Sequence, residues 1–215
     1  MSATINLDHF NTYFNTQIPM IVIGKKPYPV SAYYLNELDI HPDLNLSKKW
    51  LKKLNRDLVS KQEQVELVVE LVLQFRERVL IFVAGLNDIY LLAEKFKEKN
   101  ISCVLLHSQI ERDAVNPFGD TSQFQVYIGT NIAESSITIP DLDLVICLGK
   151  EKYVDNGILK IRNISKASAT QRAGRTGRTC PGTVIRLYTK DTYSSFSPYN
   201  ISYSIQQLPQ IILQL

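Results

Sequence analysis

A chain of 215 residues has room for one large domain, or for one domain with appendages, and 45% hydrophobic with 21% charged residues is the composition of a globular protein with a real core. A net charge of +3 and a pI near 8.6 permit a polyanion at a local site but give no sign of a whole basic face that wraps nucleic acid. Cys103, Cys147 and Cys180 stand far apart with no Cys-x-x-Cys pair, which argues against a disulfide framework or a zinc site and fits a reducing compartment. No apolar run reaches membrane-spanning length, and the N-terminus lacks the charged-then-apolar profile of a signal peptide.

In chain order, a short helix is expected first, capped by Asn6 or Asp8 with Phe10, Tyr13 and Phe14 turned inward. Short strands follow around Met20–Ile23 and Tyr28–Tyr34, separated by a Gly-Lys-Lys-Pro turn. Asn36–Leu58 has no clear period. Its lysines 48, 49, 52 and 53 surround Trp50, Leu51 and Leu54, and read better as a solvated helical face than as an RNA patch.

From Gln62 a regular alternation begins. Val65, Leu67, Val68, Leu71, Val72 and Phe75 carry helical spacing, with Arg76 and Arg78 suited to a helix C-terminus. Val79–Val83 reads as a strand buried on both faces, Asn87–Lys97 as helix and Cys103–Leu106 as strand. Arg112–Asn116 reads as a short helix, Val126–Ile128 and Leu144–Leu148 as strands, Lys166–Arg175 as helix and Thr183–Leu187 as a last strand. Asn156-Gly157, between Tyr153-Val154 and Ile158-Leu159, signals a hairpin with a type I′ turn. The fold class is therefore α/β: a doubly wound parallel sheet with helices on both faces, plus a short β-hairpin. In such sheets ligands gather at the carboxyl ends of the strands.

The strongest chemical signal is Gln171-Arg172-Ala173-Gly174-Arg175-Thr176-Gly177-Arg178. Paired glycines weaken a helix by about 1 kcal/mol each, so a plain solvated helix end is a poor account of this octet. Helical spacing would aim the Gln171 amide and the Arg175 and Arg178 guanidiniums at one point, and a guanidinium grips phosphate oxygens bidentately. Upstream, Thr130-Asn131-Ile132-Ala133-Glu134-Ser135-Ser136-Ile137-Thr138-Ile139-Pro140 follows a strand directly. Small hydroxyl and amide groups there can meet phosphates, although alone they could equally cap a helix.

These two segments resemble motifs VI and V of superfamily 2 helicases of the DEAH/RHA group, in the second, RecA-like domain. The resemblance implies that Gln171 positions the attacking water and that Arg175 and Arg178 stabilise charge on the γ-phosphate. It implies RNA phosphate contacts for Thr130, Asn131 and Ser108, and nucleotide contacts for Ser136, Thr138 and Phe118, the last by stacking on adenine. Phe124 competes with Phe118 for that role, and either could be core. Ser2-Ala3-Thr4 resembles motif III, Leu80–Ile89 motif IV and Leu106-His107-Ser108 motif IVa; no chemistry is assigned to His107. Pro140 stands where the group often has an acid for the ribose, with Asp141 displaced by one position, which loosens nucleotide preference. The hairpin is shorter than the group's usual one, which counts against a strand-separating wedge.

Thr130–Pro140 and Ile23–Leu35 further resemble the spindle-E branch, the tudor-domain-containing germline helicases of the piRNA pathway. That branch implies a cytoplasmic protein of perinuclear granules with piRNA-pathway partners. The expected domains are 1–18 as the end of the first RecA-like domain and linker, 19–206 as the second RecA-like domain, and 207–215 as the connection to a winged-helix domain. The implied ligands are single-stranded RNA and ATP with Mg2+, the metal being held by the first RecA-like domain, which is also a partner; no membrane is implied. The sequence has no Gly-x-x-x-x-Gly-Lys-[ST] and no Asp-Glu-x-His, so the chain is expected to be inactive alone. The alternatives are a non-catalytic RecA-like scaffold for RNA or protein and, more distantly, a viral or DNA superfamily 2 helicase.

Overall fold

The structure, a computed structural model, describes residues 7–19, 21, 28–42, 44–54, 60–75, 77–107, 125–134, 139–155 and 157–200. Six parallel strands form its centre: β1 (Val30–Tyr34), β2 (Arg78–Phe82), β3 (Cys103–Leu106), β4 (Gln125–Gly129), β5 (Leu144–Cys147) and β8 (Gly182–Arg186), in the order β1-β8-β5-β2-β4-β3. β6 (Lys150–Asp155) and β7 (Ile158–Asn163) make a separate antiparallel hairpin whose turn includes Gly157 at φ 77°.

Period two divides the central strands between two cores. On one face Val79, Ile81, Val126, Ile128 and Ile146 meet the apolar stripes of α3 (Lys61–Phe75) and α4 (Leu86–Lys97). On the other, Leu80, Phe82, Tyr127, Val145 and Val184 meet Ala169 and Ala173 of α5 (Lys166–Ala173). Parallel strands joined by crossovers are thus covered on both sides, and the doubly wound sheet expected from the alternation of patterns is the observed fold.

The segment without a clear period forms a 3-10 helix at Leu35–Ile40 and a single helical turn, α2 (Lys48–Leu51). Trp50 is buried and donates from Nε1 to Glu70 at 2.8 Å, while Lys49 and Lys53 pair with Glu66 and Glu63 of α3. Those two lysines are paired with the acidic flank of α3.

Three local expectations change. α1 (Leu7–Phe14) forms, but Phe10, Tyr13 and Phe14 are 45%, 77% and 56% exposed. Neither core includes a described residue of α1, and its rings pack on one another, Tyr13 edge-on to Phe14 at 4.9 Å. Arg78 does not close a helix: it opens β2, and its guanidinium reaches the Pro140 carbonyl at 3.3 Å and the Asp141 carboxylate at 3.6 Å. The helix expected to reach Arg175 stops at Ala173, where Gly174 caps it by donating to the carbonyls of Thr170 and Gln171. The strand expected at Met20–Ile23, apart from Ile21, lies outside the described residues, as do the helix at Arg112–Asn116 and residues 201–215.

Candidate nucleotide and nucleic-acid site

α5 starts at Ser165, whose hydroxyl accepts from the Ser168 N–H at 3.1 Å, and runs back across the sheet against the strand direction. Its C-terminal turn therefore arrives at the amino edge of the strands. There the Thr176 hydroxyl donates to the Leu142 carbonyl just before β5, and Gly177 lies against Val30 at the start of β1. Ligand contacts were expected at the carboxyl ends of the strands. Thr130 and Asn131 do sit there, immediately after β4, but the arginine-bearing turn adjoins the opposite edge.

α5 ends at Ala173 and the chain bends at Gly177, at φ 76°, so Arg175 and Arg178 do not share one helical face as the spacing suggested. They are nevertheless neighbours. Partial burial and the charge of Arg178 both pull the Arg175 pKa below the ordinary arginine value. Arg178 is exposed and donates from Nε to the Gly174 carbonyl at 3.2 Å; Gln171 is half-buried on the last turn of α5. Arg175 is half-buried and Arg178 exposed on the same turn, and guanidiniums of this kind are suited to grip phosphate oxygens. Among the described residues no group of three or more His, Cys, Asp or Glu side chains could hold a metal ion.

The structure also shows a buried knot that the sequence motifs left without a role. The Glu134 side chain is 13% exposed and Arg172 is fully buried, and Arg172 Nε donates to Glu134 Oε1 at 2.7 Å. The Ser168 hydroxyl donates to the same oxygen at 2.7 Å, and Arg172 stacks over Phe82 with 5.0 Å between the guanidinium and the ring centroid. Burial alone would pull the Arg172 pKa down, but Cys147 and Glu134 together hold it above the ordinary value. Removing either partner would strand a charge in the core, at about 3–5 kcal/mol. The available signal was helical: Ser168 and Arg172 are spaced i, i+4 on the same face of α5 as Ala169 and Ala173.

Arg175 is tied to the same residue by a different atom, its guanidinium donating to the Glu134 main-chain carbonyl. Glu134 closes a 3-10 turn, Asn131–Glu134, that starts directly after Thr130. The structure thus joins Thr130, Asn131 and Arg175 through one short segment. Ser108, Phe118, Ser136 and Thr138 lie outside the described residues, as does Phe124. Asp141, one position after Pro140, adopts φ 50° and pairs with Arg78.

The family model for the helicase conserved C-terminal domain matches residues 63–180, over half of the chain. The chain belongs to this family. It is 33% identical over 206 residues to the ATP-dependent RNA helicase HrpA of Borreliella burgdorferi, covering 89% of this chain and 23% of that protein. It is 34% identical over 215 residues to the ATP-dependent RNA helicase DHX33 of Drosophila melanogaster, covering 91% of this chain and 28% of that protein. The ATP-dependent RNA helicase TDRD9 of Danio rerio is 31% identical over 242 residues, covering 92% of this chain and 18% of that protein. The chain thus spans about a quarter or less of the length of these relatives. The crystal structure of the Escherichia coli DExH-box NTPase HrpB superposes with a TM-score of 0.72 at 24% identity, over 100% of this chain and 26% of that one, which shows the RecA-like fold.

Proposed function

We propose that this chain is the second RecA-like domain of an ATP-dependent DEAH-box RNA helicase, and that it supplies Arg175 and Arg178 to the γ-phosphate and Thr130 and Asn131 to RNA phosphates. The observation that carries the reading is a glycine-built turn that bears two guanidiniums, Arg175 half-buried and Arg178 exposed, with Arg175 donating to the carbonyl of Glu134 in the segment that begins after a strand's carboxyl end. A scaffold has no use for such a pair. In this reading Gln171 orients the attacking water, and Ser108, Phe118, Ser136 and Thr138 complete the RNA and nucleotide contacts. Mg2+ is held by the first RecA-like domain of the same protein, with residues 1–18 its end and linker, 19–206 the second domain, and 207–215 the lead into a winged helix.

The TDRD9 relatives of zebrafish and human, 31% and 30% identical, are compatible with a finer assignment to the tudor-domain-containing branch, which rests on the resemblance of Thr130–Pro140 and Ile23–Leu35. That assignment carries a germline piRNA role in cytoplasmic perinuclear granules. The test of the main reading is ATP hydrolysis by a chain containing both RecA-like halves, with and without single-stranded RNA. RNA-stimulated turnover is expected, and none from the 215-residue chain alone. A two-domain protein that binds RNA without RNA-stimulated turnover would establish the scaffold instead.

A further inference from the structure

α3 and α4 lie side by side on one face of the sheet, opposite the face that carries α5. α3 leads into β2 and α4 leads out of it, so both run against the strands and parallel to one another. A groove of about 730 Å³ opens between them, with Val65, Val69 and Leu73 of α3 and Leu91 of α4 as its apolar floor. Val69, Leu73 and Leu91 are only half-buried there. That volume is in the range of sites built to take a ligand, about 300–1,000 Å³.

The two rims differ in charge. Along α3, Glu66 pairs with Lys49 and Glu70 accepts from Trp50 Nε1 at 2.8 Å, so the acids of that rim are already engaged by this chain. Along α4, Lys95 and Lys99 stand one turn apart and exposed. Lys95 pairs with Glu98 at 2.7 Å inside the same helix, with both side chains largely in solvent, and Lys99 has no acidic partner among the described residues. We propose that the groove docks an amphipathic helix of a partner protein, apolar on the face it buries and acidic on the flank that meets α4.

The floor calls for a helix. Val65, Val69 and Leu73 recur every four residues, a ridge about 12 Å long, and beside a second helix such a ridge packs the i, i+4 and i+7 side chains of a third. Lys99 fixes its direction. The Lys61–Asp88 pair, at 2.7 Å, ties α3 to α4 at their N-terminal ends, and Lys99 stands at the opposite end. Acids are most favourable in the first turn of a helix. The partner helix therefore begins beside Lys99 and runs antiparallel to α3 and α4, its dipole opposed to theirs. An RNA strand would gain nothing from an apolar floor and would meet Glu66, Glu70 and Glu98 along it.

The experiment selects binders of the 215-residue chain from a displayed library of peptides of about 14 residues, four helical turns. The affinities of the selected peptides, made synthetically, are then measured against wild type, Val69→Arg and Lys95→Glu/Lys99→Glu. Selection is expected to enrich apolar residues at i, i+4 and i+7 with acids in the first turn. Val69→Arg fills the floor with a charge and lowers affinity by at least about tenfold. The charge reversal sits on exposed positions, lowers affinity by about tenfold, and is rescued when lysines replace the peptide's acids. Should Val69→Arg unfold the chain, the reversal and its rescue carry the test. Selected peptides without this pattern, or acidic peptides that bind the reversed chain as tightly as wild type, overturn the proposal. Displacement of the peptide by single-stranded RNA overturns it too, as does a concentration-dependent dimer that the charge reversal abolishes. None of these readouts uses ATP turnover, so the helicase reading and this one fail separately.

Discussion

Gly177→Ala tests whether the arginine turn is built as described. The residue sits at φ 76°, a conformation that costs an L side chain about 1–2 kcal/mol. A Cβ there would stand 2.3 Å from Val30 Cγ2, well inside van der Waals contact. Val30 is β-branched, lies in a strand and cannot swing its methyl aside cheaply, so overpacking adds about 1–3 kcal/mol. The sum is about 2–5 kcal/mol, and in a domain of this size each kcal/mol shifts Tm by about 2–4 °C. Thermal unfolding of the 215-residue chain should therefore drop by at least about 4 °C. The double variant Gly177→Ala/Val30→Ala separates the two costs: it relieves the clash and leaves the backbone strain, so the cycle should show favourable coupling of about 1–3 kcal/mol. A Gly177→Ala chain melting within a degree of wild type would refute the geometry of this turn. Strict additivity in the cycle would assign the whole cost to φ and remove Val30 from the account.

In the two-domain protein, Arg178→Ala should lower ATP turnover by about 10³-fold with RNA affinity nearly unchanged, and Arg178→Lys should not rescue it, because an ammonium lacks the planar fork; near-normal turnover in either would remove Arg178 from the finger role. The 215-residue chain should bind single-stranded RNA weakly through few phosphates, with log K falling by about 0.7 per phosphate for each unit of log salt; a steep slope with strong sequence preference would contradict phosphate-only contact. Burial pushes the Cys103 thiol up to about 12. A thiol pKa raised on folding stabilises the chain fully below about pH 9 and loses that contribution as pH climbs toward the folded value. Native Cys103, which is half-buried, should accordingly alkylate more slowly at pH 8 than it does on unfolding; labelling at a free-thiol rate in the native chain would contradict the raised pKa.

The parallel sheet was legible because its strands are continuous apolar runs, such as Val79–Val83, separated by helical periods such as Val65 to Phe75. The octet was legible as phosphate chemistry from residue type alone. Its geometry was not, because helical spacing cannot anticipate that Gly174 ends α5 or that the chain bends at Gly177. The edge at which the turn lands depends on α5 running against the strands, and that is a property of the crossover rather than of any local pattern. α1 misled for a related reason: amphipathic spacing shows that one face is apolar, not that any core receives it. Arg172 was hidden by its own octet. Beside two exposed or half-exposed arginines it was given no role of its own, whereas it is the buried partner of Glu134.

That Glu134 closes a 3-10 turn has a physical consequence for the site. In an α-helix continuing past residue 134, the Glu134 carbonyl would point along the axis to the N–H four residues on. It would not be directed sideways at a neighbouring element. The crossover from β4 to β5 instead presents that carbonyl to Arg175, while the same residue's carboxylate reaches α5. A buried carboxylate needs a charged partner, and Arg172 supplies one. A main-chain carbonyl needs only a donor, which an arginine can leave for a phosphate oxygen at little cost because both contacts are hydrogen bonds to its N–H groups. The two attachments of Glu134 therefore differ in permanence: the side chain fixes the crossover to the core, and the main chain offers Arg175 a contact it can exchange for an anion.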